Sequence, residues 1–63
     1  MPFIEVKAFE HRFEDDAKAA LLIEKLTRAF GEVYGEDAQR ETEVVLTAVS
    51  RHHWGFGGSR RLP

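Results

Sequence analysis

The sequence contains no cysteine. That excludes disulfides and thiolate metal sites, two of the usual supports of a short chain. His11, His52 and His53 therefore have no thiol partner at a zinc-type spacing, and no metal or other cofactor is expected. There is no basic excess: 9 basic residues face 11 acidic ones, for a net charge of −2. A chain so balanced is poorly suited to neutralise phosphates, which argues against nucleic acid as a partner. No apolar run approaches the roughly 20 residues that span a bilayer. The opening Met1-Pro2-Phe3-Ile4-Glu5 lacks the basic-then-apolar order of a signal peptide. The expectation is a soluble cytoplasmic protein with no membrane partner.

What is present is 63 residues, enough for a single domain over 1–63 that is marginal alone. With disulfides and metals set aside, oligomerisation is the expected support.

Pro2 to Phe9 reads as a strand, with Ile4, Val6 and Ala8 on one face and Phe3, Glu5, Lys7 and Phe9 on the other. Pro2 suits the first position, where no ladder donor is needed. Glu10 to Phe13 forms a connection. A helix is predicted over Asp15–Tyr34, where Ala19, Leu22, Ile23, Leu26, Phe30 and Val33 recur on one face. Glu14, Asp15 and Asp16 place negative charge where the helix dipole favours it. Gly35 sits where a left-handed cap would end the helix, and Gly31 weakens it by about 1 kcal/mol relative to alanine. Thr42 to Val49, rich in β-branched residues, is a second strand. His53-Trp54-Gly55-Phe56-Gly57-Gly58 reads as a short hairpin or bulged turn, and Ser59 to Pro63 as a mobile basic end.

Strand, long helix, strand is the order of an α+β fold with two parallel strands joined by a crossover helix. Two strands leave open edges, and one helix covers one face only. Apolar residues on both strand faces therefore point to another chain.

Three segments carry a resemblance: Pro2-Phe3-Ile4-Glu5-Val6, Glu10-His11-Arg12, and His53-Trp54-Gly55-Phe56-Gly57-Gly58. In a chain of this length and order they resemble the 4-oxalocrotonate tautomerase family. The resemblance implies a β-α-β subunit with a short C-terminal hairpin. Two such subunits would form a four-stranded sheet backed by two helices, and three dimers a hexamer, either a homo-hexamer or a hetero-hexamer with a related short chain. It implies an isomerase acting on small anionic 2-oxo acids or their enols, including 2-hydroxydienoates. It also implies removal of Met1, which leaves Pro2 as the amino terminus.

Freed in this way, Pro2 is a secondary amine, and desolvation by Phe3, Trp54, Phe56 and neighbouring chains would favour its neutral, basic form. Such an amine moves a proton between carbon and oxygen. With Met1 attached its nitrogen is a tertiary amide and has no such role. Otherwise Pro2 merely starts a strand. Arg12 matches the family's carboxylate-binding arginine, a role that its planar fork suits. The bland alternative is a solvated arginine, or one paired with Glu10 or Glu14. Trp54 matches the family's phenylalanine over the reacting carbons, and an interface aromatic is compatible with that role.

Glu43 departs from the pattern: it stands where the family has a second arginine. Three readings stay open. The substrate differs; or Glu43 handles a proton or readies water, as in a hydratase or dehalogenase; or a partner chain in a mixed hexamer supplies the arginine. Arg40 and Arg51 lie near that position without matching it. A non-catalytic assembly subunit is the remaining alternative. His11, His52 and His53 read as solvated loop residues, and Lys18, Glu24, Lys25, Arg28 and Glu32 as a solvated helix face.

Overall fold

The computed structural model describes residues 1–60. Strand β1 (Phe3–Phe9) runs into a 3-10 turn at Glu10–Phe13, then into helices α1 (Asp16–Tyr34) and α2 (Glu36–Glu41). Strand β2 (Glu43–Val49) ends in a second 3-10 turn at Arg51–His53, followed by the short strands β3 (Gly55–Phe56) and β4 (Ser59–Arg60). The fold is α+β, with β1 and β2 parallel in register from Phe3 opposite Glu43 to Phe9 opposite Val49.

The register divides the sheet as the alternation of β1 predicts. Ile4, Val6, Val44 and Leu46 share one face and are half-buried. Ala19, Leu22, Leu26 and Phe30 of α1 are half-buried too, the stripe that a single helix can press onto a sheet. Ile23 and Val33, placed on that face by periodicity, flank the stripe and are exposed. A two-stranded sheet is too narrow to cover them. The helix begins as its sequence indicates: the Asp15 carboxylate accepts from the N–H groups of Ala17 and Lys18 at 3.0 and 3.2 Å.

Helix α2 has no apolar period and is not foreshadowed by one. It lies against α1 through Gly31, the one fully buried residue among those described. A Cβ on Gly31 would sit 2.6 Å from the Gln39 Cβ, so the glycine read as a weak point is a site of close approach. Gly35 takes a positive φ of 101° but an extended ψ of 171°, not the left-handed helical cap expected there. Its N–H donates to the Gly31 carbonyl, and its own carbonyl accepts from the Gln39 N–H, so it joins two helices rather than ending one. Thr42 closes α2, its hydroxyl donating to the Ala38 carbonyl at 2.7 Å, and β2 starts one residue later than predicted.

At the other end β3 and β4 pair antiparallel, Gly55 with Arg60 and Phe56 with Ser59. Gly57 and Gly58 both take positive φ, as the two central residues of a type I′ hairpin turn must. Ser59 and Arg60 are thus paired strand rather than the start of a mobile end. The remainder of that predicted segment, 61–63, lies outside the described residues.

No described hydrophobic residue is fully buried. The open sheet face carries Phe3, Glu5, Lys7 and Phe9 beside Glu43, Val45, Thr47 and Val49, and Phe3 is 60% exposed. The chain exposes 5054 Å², against about 4,100 Å² for a compact monomer of its 7.2 kDa mass. Its radius of gyration is 14.3 Å, where about 11 Å is usual for this length. No helix among the described residues is long and apolar enough to cross a membrane.

Candidate active site

Strand β1 separates the predicted site residues. Pro2 immediately precedes it, and Arg12 lies in the turn that follows it. Seven residues of strand at about 3.3 Å each set the two ends roughly 23 Å apart. The predicted site residues therefore fall into two groups, one at each end of β1.

The first group is Pro2 with Glu43. Pro2 is half-buried, while Met1 before it is 83% exposed. The Glu43 N–H donates to the Pro2 carbonyl at 2.9 Å, the first rung of the β1–β2 ladder. Glu43 is directly opposite Phe3 on the open face, so its carboxylate belongs to the Pro2 end of the sheet. Arg40 does not substitute there for the missing arginine: its guanidinium is paired with Asp37 on α2. Arg51 lies in the turn beyond β2, at the opposite end of the sheet from Glu43.

The second group is built around Trp54. Its indole meets the Phe9 ring edge-on, with centroids 4.9 Å apart and planes at 66°. The contact forms because Phe9 ends β1 on the open face and the second turn returns the chain beside it. Trp54 lines a cleft of about 300 Å³ together with Lys7, Val49, His53 and Gly55. Arg12 is exposed in the neighbouring turn and pairs with neither Glu10 nor Glu14. Its guanidinium has no ion pair among the described residues.

Lys7 was not foreseen as a site residue; His53 is exposed, as expected of a solvated loop histidine, and also lines this cleft. Both flank the indole once the hairpin is in place. The one sequence signal for Lys7 is its position two residues before Phe9, on the same strand face. Lys7 is restrained by Glu5 at 3.9 Å, and Glu5 in turn accepts from the Thr47 hydroxyl at 2.8 Å. This polar chain runs along the open face beside the cleft.

A parallel β-α-β unit with a proline at the head of its first strand and an aromatic hairpin at its end defines a small class of subunit. A family model described as tautomerase enzyme matches residues 2–61, nearly the whole chain, and the chain belongs to the tautomerase family. Neither the curated proteins nor the solved structures contain a match to it.

Proposed function

We propose that this chain is a subunit of a proton-transferring tautomerase whose active sites form between copies. The observation that carries the reading is the separation of Pro2 from Arg12 and Trp54 along β1. Two further features support assembly: the absence of a fully buried hydrophobic residue among the described residues and the apolar residues left on the open face.

In this reading Met1 is removed and the Pro2 nitrogen becomes a secondary amine. A second copy supplies Arg12, whose fork binds the substrate carboxylate, and Trp54, whose indole keeps water from the reacting carbons. The Pro2 lone pair takes the proton of the enol hydroxyl. As the carbonyl forms, the alkene electrons take that proton back at carbon, and the amine is regenerated. General acid–base catalysis of this kind contributes on the order of 10²–10⁴ in rate. The substrate class is a small 2-oxo acid in equilibrium with its enol. The assembly is a hexamer of these chains, or of these chains with a related short partner.

The test is ketonisation of phenylenolpyruvate by protein whose intact mass shows Met1 removed. Activity that falls at least about 100-fold in Pro2→Ala supports the reading. Processed protein without activity, or a Pro2→Ala variant as active as the parent, overturns it.

The position of Glu43 opposite Phe3, at the Pro2 end of the open face, favours one second reading. A carboxylate at the Pro2 end suits addition of water to an unsaturated acid. Glu43 would take a proton from water as its oxygen bonds to the β-carbon, and protonated Pro2 would deliver a proton to the α-carbon. With a 3-chloroacrylate, chloride would then leave the hydrated carbon as its hydroxyl loses a proton and becomes a carbonyl. Chloride release that depends on Glu43 supports this reading; its absence in active protein rules it out.

A further inference from the structure

The two parallel strands end side by side, at Phe9 and Val49. Each runs into a 3-10 turn, the first bearing Glu10, His11 and Arg12 and the second Arg51, His52 and His53. Between the turns is a cleft of about 210 Å³ lined by Phe9, Glu10, His11, Arg51 and His52. Neither Arg12 nor Trp54 lines it, and it is distinct from the cleft beside the indole.

The polar groups of this cleft are arranged to donate. Among the described residues the ion pairs engage Lys7, Arg28 and Arg40. The Arg51 guanidinium has neither an ion pair nor a hydrogen bond among them, although Glu10 lines the same cleft. His52 is fixed at two points. Its backbone N–H donates to the Ser50 hydroxyl oxygen at 3.2 Å, and its ring Nδ1 lies 3.4 Å from Nη1 of Arg60. A neutral imidazole carries one N–H donor whichever tautomer it takes. His52 then offers an N–H donor. The β3–β4 hairpin that delivers Arg60 adds a second guanidinium beside the cleft. Phe9 forms the apolar wall, its ring braced by His11 at 6.2 Å and by Trp54. The single acid is Glu10, so the lining and Arg60 together favour an anion.

We propose that this cleft is a binding site for a small oxyanion, a carboxylate or phosphate group, held by the fork of Arg51 and the imidazole N–H of His52. A volume near 210 Å³ is that of roughly seven water molecules, which accommodates such a group but not a large ligand. Arg51 gives the fork two parallel bonds to two oxygens. Glu10 opposes binding and keeps the site weak enough to exchange.

The test is a titration of the assembled protein, followed by the imidazole signals in long-range proton–nitrogen spectra at constant ionic strength in chloride. Inorganic phosphate and succinate are the two probes, and whichever saturates at lower concentration identifies the oxyanion. The expected result is a saturable shift of the His11 and His52 signals, with His53 moving less. Arg51→Gln weakens binding at least about tenfold, since it removes the charge-assisted bonds of the fork. Glu10→Gln tightens it several-fold, a gain that a misfolded protein cannot mimic. Shifts that stay linear in salt and are the same for both probes overturn the proposal, as does binding unaltered by Glu10→Gln. The readout involves no turnover, so a failure of the Pro2 chemistry leaves it intact.

Discussion

The backbone N–H of Glu43 donates to the carbonyl of Pro2 at 2.9 Å, and so ties the acid that replaces an expected arginine to the end of the sheet where the proline sits. A carboxylate there repels an anionic substrate, whereas a guanidinium would bind it. Glu43→Arg is therefore expected to lower the KM for a 2-oxo acid by about tenfold, the gain from one charge-assisted hydrogen bond. Steady-state kinetics of the two proteins on phenylenolpyruvate check this. An unchanged KM would place the substrate carboxylate beyond the reach of residue 43.

Trp54 joins the hairpin to the end of β1 through Phe9. Trp54→Ala loses that edge-on contact and part of the cleft wall, at a cost of about 1–2 kcal/mol for a half-buried aromatic. Thermal unfolding should show the loss, with a larger fall in kcat/KM than in stability. Trp54→Phe preserves an aromatic edge against Phe9 and should retain most of the activity. If Trp54→Phe is as impaired as Trp54→Ala, the indole N–H rather than the ring matters.

Gly31 makes the opposite prediction from helix propensity. Propensity alone says that Gly31→Ala stabilises α1 by about 1 kcal/mol. The close approach of Gln39 says that it destabilises the fold by about 1–3 kcal/mol, because an added methyl has no room. Gln39→Gly in the same chain should relieve the clash. Chemical denaturation of the single and double variants gives the sign directly, and a stabilised Gly31→Ala would show that α2 does not rest on α1.

The parts of the fold that were legible in the sequence are those set by period. Ile4, Val6 and Ala8 alternate with Phe3, Glu5 and Lys7, and the register keeps them on separate faces. Leu22, Leu26 and Phe30 mark the packed stripe of α1. Helix α2 was not legible, because six residues too short for an apolar period are held by a tertiary fit at Gly31 and by the Asp37–Arg40 pair. The residues of the candidate site were named from motif, but their distribution was not. That Pro2 and Arg12 fall at opposite ends follows from the length of β1. That Lys7 and His53 flank Trp54 depends on how the second turn directs the hairpin, a three-dimensional fact with no sequence period behind it.

Two inactive variants test the shared site most directly. Pro2→Ala alters one group and Arg12→Ala the other. If each active site takes Pro2 from one copy and Arg12 from another, mixed assemblies re-formed from equal amounts of both contain intact pairs in about a quarter of their sites. Ketonisation of phenylenolpyruvate should then return to about a quarter of the parent rate, with each variant alone inactive. Mixed assemblies that stay as inactive as the separate variants, while mass spectrometry shows that the chains have exchanged, would contradict a site built between copies.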